Sequence, residues 1–204
     1  MSPTLSDRKE DVAEAILDAA MKLFVEKGVD KTSMRNIAGS IGYSAGNVYL
    51  YFKNKAEILH TLHSRGFQKM RSSFDVLRMV SDPLERMKAM GKAYLAFAAE
   101  NPQLYNLMFV SMAPMKHLDA DCSENWTEGA TTFMTLKNTV EECKQLGYFA
   151  GHDIEHMSFM VWSTVHGMAS LSNAQRINRV KFENPDQVLE KGYEEFCLML
   201  DRLK

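Results

Sequence analysis

Cysteine is scarce and awkwardly placed in this chain. There are three among 204 residues, at Cys122, Cys143 and Cys197, with no C-x-x-C spacing. An odd, scattered set excludes a disulfide framework and a zinc finger, and it fits a reducing cytoplasm. Long hydrophobic runs are also missing. The longest apolar clusters, such as Tyr94 to Ala99 and Met157 to Trp162, fall short of a bilayer, and no N-terminal apolar run resembles a signal peptide. No membrane partner is expected. Neither sign of charge dominates, because 24 Lys and Arg stand against 26 Asp and Glu, a formal net charge of -2. Any attraction to a polyanion must therefore be local. Strand-like alternation is absent, as are a phosphate-cradling glycine loop and a nucleophile with its base. An enzyme on a helical scaffold is thus only a remote reading.

What remains is helix signal from end to end, on a chain with 46% hydrophobic residues, enough for a real core. An all-α protein of about nine helices is expected. Val12, Ala15, Ile16, Ala19, Leu23 and Phe24 make a first amphipathic stripe, with Gly28 as its stop. Asn54 with Glu57 opens a helix over residues 54–74 that joins an N-terminal head, 1–56, to a body, 57–204. Asp82-Pro83, Asn101-Pro102 and Asn184-Pro185 each place a capping side chain before a proline suited to the first helical position. Two long helices are expected at about 124–147 and 153–176, with a last one over 184–203.

The segment from Thr32 to Lys55, TSMRNIAGSIGYSAGNVYLYFKNK, has the organisation of a helix-turn-helix. Thr32 or Ser33 caps a first helix carrying Ile37, Ala38 and Ile41, Gly42 turns the chain, and Ser44 caps a second helix. Val48 then returns against the small Ala38, with Phe52 closing the same core. The second helix of such a motif enters the major groove, bringing Ala45, Gly46 and Asn47 to base edges. Its charge agrees: Lys31, Arg35, Lys53 and Lys55 are the only charged residues between positions 31 and 56.

The DNA-contacting set expected is Thr32, Ser33, Arg35, Ser44, Ala45, Gly46, Asn47, Tyr49, Tyr51, Lys53 and Lys55. Arg35 and Asn47 are the candidates for base readout, while Tyr49, Tyr51, Lys53 and Lys55 suit phosphate. The plainer alternative for the tyrosines is packing. A palindromic double-stranded operator requires two heads about one DNA turn apart, roughly 34 Å, and hence a homodimer. The apolar faces of the last two helices look too extensive for one subunit, so Val161, Val165, Leu189, Tyr193, Phe196 and Leu200 are the expected interface.

These residues resemble the TetR family of bacterial transcriptional regulators. The pattern is carried by Ala15, Ala19, Leu23, Phe24, Gly28, Thr32, Ile37, Ala38, Gly42, Ser44, Val48, Tyr49, Tyr51, Phe52, Lys55 and Leu59. Tyr43 departs from it, where the family usually has a smaller aliphatic residue. Trp162, His166 and Gly167 resemble a W-x-x-x-H-G element of one subgroup, as does the stretch from Tyr94 to Phe109. The resemblance implies a helical effector-binding and dimerisation body, in which a small ligand moves two heads out of register. The function it implies is a homodimeric repressor released by a small apolar or aromatic effector. A ligand-independent or activating regulator is the alternative.

Effector contacts are expected at Tyr105, Met108, Phe109, Met112, Trp126, Trp162 and His166. Core packing is the plainer role for most of these, although 15 methionines suit an adaptable cavity. Two histidine patterns imitate metal sites. In HDIEH, Asp153 is the expected helix cap, which leaves His152 before the helix and off the face of His156. His60 and His63 are three apart but lack a third ligand. No metal or cofactor is expected.

Overall fold

The computed structural model describes residues 5–111 and 127–204, and every regular element among them is helical. The α-helices are α1 (Leu5–Lys27), α2 (Met34–Ser40), α3 (Ala45–Tyr49), α4 (Lys55–Val76), α5 (Pro83–Glu100), α6 (Pro102–Phe109), α7 (Thr127–Gln145), α8 (Ile154–Asn173) and α9 (Val188–Asp201). Short 3-10 turns occupy Leu77–Met79, Ile177–Arg179 and Pro185–Gln187.

The chain divides into two compact units, with one boundary inside α4 between Gly66 and Phe67. That boundary lies beyond the break expected at residue 56, because Ile58, Leu59 and Leu62 of α4 belong to the core of the first unit. In that core α1 supplies Ile16, Leu17, Ala20, Leu23 and Phe24, and α2 supplies Ile37 and Ala38. Val48, Phe52 and Leu107 of α6 complete it. Gly28 and Gly42 adopt φ of +84° and +73°, so each ends a helix in a conformation costly for residues with a Cβ.

In the second unit α5 packs against α7 and α8, and α9 lies on α5 and α8. Leu84, Met87, Val140, Cys143, Phe149, Met157, Val161 and Leu200 form a shared core. Asp82 caps α5 as its position before Pro83 predicts, with Oδ1 accepting from the amides of Leu84 at 2.8 Å and Glu85 at 3.0 Å. The other two Asn-Pro pairs behave differently. Asn101 closes α5, its Nδ2 donating to the Phe97 carbonyl at 2.9 Å and its Oδ1 accepting from Lys69 Nζ at 2.7 Å. After Asn184 the chain makes a 3-10 turn without a side-chain cap, and α9 starts only at Val188.

Candidate nucleic-acid interface

The helix-turn-helix is built by local hydrogen bonds. Ser33 caps α2: its Oγ accepts from the Asn36 amide at 3.2 Å, while Asn36 Oδ1 accepts from the Ser33 amide at 2.9 Å. The turn closes with the Tyr43 amide donating to the Ala38 carbonyl at 2.9 Å. Ser44 Oγ then accepts from the Asn47 amide at 3.3 Å and opens α3. Asn54 Oδ1 accepts from the Glu57 amide at 2.9 Å, and Glu57 Oε2 reaches back to the Lys53 amide at 2.5 Å. The reciprocal cap thus falls one residue earlier than a standard capping box.

Val48 is fully buried beside Ala38, which turns the opposite side of α3 outward. Gly46, Asn47 and Tyr49 are exposed, Ala45 is partly so, and Arg35, Ser33, Ser44 and Lys53 also face solvent. These residues present neutral and basic groups and no carboxylate, an arrangement suited to a groove lined by phosphates. Tyr51 is half-buried with its ring against the head core, whereas Tyr49 is 53% exposed. The packing alternative therefore applies chiefly to Tyr51.

Two residues of the expected DNA-contacting set make hydrogen bonds within the head. Thr32 is only 2% exposed, and its hydroxyl donates to the carbonyls of Gly28 at 2.9 Å and Leu23 at 3.3 Å. It closes the end of α1 with a side chain that is turned inward. Lys55 Nζ donates to the Val29 carbonyl at 2.7 Å, tying the start of α4 to the loop after α1. One of its three ammonium donors is thus engaged within the head.

Sequence reasoning missed Leu50, whose side chain is 82% exposed at the end of α3. Helical spacing was the available signal, since Leu50 lies four residues after Gly46 and opposite Val48. Tyr43, set aside as a departure in the turn, is also exposed.

The expected effector residues fall into both units. In the first, Tyr105 is buried and meets Phe109 at 5.2 Å between ring centroids, and Met108 packs over Gly66. In the second, Trp162 and His166 come together on α8 at 5.9 Å. Trp162 also meets Phe133 at 5.8 Å and Phe159 at 6.4 Å. His166 Nδ1 and the Tyr94 hydroxyl share a hydrogen bond of 2.9 Å. Burial lowers the His166 pKa from its ordinary value of 6.5, favouring the neutral ring. Met112 and Trp126 lie outside the described residues, as does Cys122. An open groove of about 410 Å³ on the head, bounded by Asp18, Lys22, Glu26 and Ile41, contains none of the expected effector residues.

Most of the expected dimer interface is internal. Val161, Val165, Tyr193 and Leu200 are buried within a single chain, and Leu189 and Phe196 are half-buried. Tyr193 donates its hydroxyl to the Lys88 carbonyl at 2.5 Å. The outward apolar residues of α8 and α9 are instead Phe159, Met160, Leu171, Leu198 and Met199.

The histidine patterns resolve as capping and packing. Asp153 Oδ1 accepts from the His156 amide at 2.9 Å and starts α8, with His152 before the helix. His63 is buried while His60 is exposed, so they do not present one ligand face. No helix among the described residues is long and apolar enough to cross a membrane.

An all-helical chain with a helix-turn-helix, an outward second helix and a local excess of basic charge defines a DNA-binding regulator. Residues 16–62 match the bacterial regulatory proteins of the tetR family, and residues 87–196 match the Tetracyclin repressor-like C-terminal domain. The chain belongs to the TetR family, and it is a DNA-binding transcriptional regulator rather than an enzyme. It is 33% identical over 97 residues to an uncharacterised HTH-type transcriptional regulator of Haemophilus influenzae, a match covering 47% of this chain and 52% of that one. The chain thus spans about half the length of that relative. It is 26% identical over 176 residues to a fatty acid metabolism regulator protein of Bacillus subtilis, covering 83% and 88% of the two chains. A bacterial regulatory protein in the tetR family from Rhodococcus RHA1 shares the fold, with TM-score 0.72 at 19% identity over 92% and 96% of the chains.

Proposed function

We propose that this regulator is a homodimeric repressor acting in the cytoplasm, released from a palindromic operator by a small, mainly apolar or aromatic effector bound in the body. The observation that carries the reading is the Tyr94–His166 hydrogen bond beside Trp162, within a patch that also includes Phe133 and Phe159. A ligand-binding site of this kind combines apolar walls with a few oriented polar groups. The surrounding rings would hold an apolar skeleton and the polar pair would orient one heteroatom. The named role of the Bacillus subtilis relative puts acyl compounds first among the candidates.

On this reading the helix-turn-helix within residues 1–56 serves the DNA, and the helices that follow residue 66 serve the effector and the second subunit. The dimer face uses the outward residues Met160, Leu198 and Met199, whose exposure on adjacent helices leaves apolar surface to cover. An effector then acts only through its different affinity for the DNA-competent and released arrangements, with couplings of about 1 to 3 kcal/mol, or roughly 5- to 150-fold.

The test selects operators from random duplex DNA with the full-length protein and follows release by fluorescence anisotropy across acyl and aromatic compounds. A compound that weakens operator binding at least fivefold, and loses that effect in His166→Gln, supports the reading. A compound that instead tightens binding makes the protein a co-repressed or activating regulator, and saturable binding of a compound without any change in affinity sinks ligand control.

A further inference from the structure

We propose that Leu50 reads DNA sequence by packing its isobutyl group against the 5-methyl group of a thymine in the major groove. The inference rests on the DNA-binding role of α3 and adds a base-reading residue to it.

Leu50 continues the helical backbone of α3, with φ -71° and ψ -19°, so the angular order of the helix extends through it. With Val48 turned into the core, helical geometry places Gly46 and Leu50, four residues apart, along the ridge farthest from that core. Gly46 contributes no side chain to this ridge. A Cβ placed there would meet only the Ser44 hydroxyl, at 3.7 Å, so the glycine is not required by packing within the head. The outermost side chain of α3 is therefore an apolar group that is 82% exposed and contributes little to the core.

The surroundings identify what covers it. All four charged residues between positions 31 and 56 are basic, and Lys53 follows Leu50 by three positions. Leu50 lies at the end of the second helix of the helix-turn-helix, and a nucleic acid duplex offers both phosphates for the basic residues and an apolar group for the leucine. In the major groove only thymine presents a methyl group, and apolar side chains are its natural partners. The methyl contact also supplies sequence information that Ala45 and Gly46 are poorly equipped to give, since neither carries a hydrogen-bonding side chain.

The experiment uses the full-length protein and the duplex most enriched from random DNA, with each thymine replaced singly by deoxyuridine, which lacks only the 5-methyl group. Wild type should lose affinity at one thymine in each half-site, by about fourfold per methyl, the equivalent of one buried methylene. Leu50→Ala should bind the thymine and deoxyuridine duplexes equally while keeping the wild-type response to salt. Leu50→Gln, which keeps the length of the side chain, should also abolish the methyl dependence. A methyl penalty that persists undiminished at the same thymine in Leu50→Ala overturns the proposal, as does a wild type insensitive to every methyl. Equal binding of selected and scrambled duplexes would overturn base readout as a whole, a separate and recognisable failure.

Discussion

The hydroxyl of Tyr193 on α9 occupies the place where a side chain on Gly91 of α5 would begin. A Cβ built on Gly91 would lie 2.2 Å from that hydroxyl oxygen and 2.9 Å from Cζ of the same ring. The absence of a side chain lets the phenol pass and donate to the Lys88 carbonyl. This contact locks the last helix to the centre of the body, and it explains why Tyr193 is unavailable to a second subunit. Gly91→Ala should destabilise the protein by about 1 to 3 kcal/mol through overpacking. Tyr193→Phe should cost about 1 kcal/mol for the lost hydrogen bond. In chemical denaturation the Gly91→Ala penalty should shrink, without vanishing, in the Tyr193→Phe background, because the ring carbon stays too close; strict additivity would contradict the contact.

The two lysines at the start of α4 should separate cleanly. Lys53 is exposed, whereas Lys55 Nζ is held by the Val29 carbonyl. Lys53→Met should lower the slope of log affinity against log salt by about 0.9, the amount for one phosphate contact. Lys55→Met should leave that slope unchanged and lower stability by about 1 to 2 kcal/mol. Titrations at four salt concentrations, with thermal melts, read both effects.

His166 should make the body sensitive to acid. Burial holds its folded-state pKa below the ordinary 6.5, so at intermediate pH the unfolded chain binds a proton that the folded chain does not. Its contribution is whole above pH 6.5 and is lost as pH falls through the lower folded value. Protonation also prevents the ring from accepting the Tyr94 hydroxyl proton at Nδ1. Denaturant midpoints measured from pH 7.5 downward should decline less steeply in His166→Gln than in wild type; parallel curves would refute the assignment.

Met160 on α8 and Met199 on α9 are 61% and 64% exposed and offer the test of dimerisation. Met160→Asp, and Met199→Asp independently, should shift sedimentation toward the monomer and weaken operator binding at least tenfold, because a lone head loses the second half-site. Helicity should stay at the wild-type level, since neither residue belongs to the core. A dimer that survives both substitutions would place the interface elsewhere.

The head was legible because its determinants are local. Ser33, Gly42, Ser44 and Val48 act over three to six residues through caps, a positive φ and a helical period, and each occupies the structural role its spacing predicts. The body was legible only as helices. Around Met157 to Ala169 apolar side chains occur on nearly every side of α8, so periodicity does not distinguish the inward Val161 and Val165 from the outward Phe159 and Met160. The direction each side chain takes depends on where α5 and α9 pack, and those contacts join residues far apart in the chain.

The same division holds within the DNA site. By itself the sequence determined the helical fold class and the helix-turn-helix, since these follow from local pattern, and the motif residues carried the resemblance to the family. Tertiary structure decided which residues of that stretch are free to act. Thr32 turns inward to the carbonyls of Gly28 and Leu23, and Lys55 reaches a carbonyl 26 residues away. Burying Val48 leaves Leu50 on the outside of α3. Hydrogen bonds and burial, which compete for the same side chains that DNA would use, made those choices.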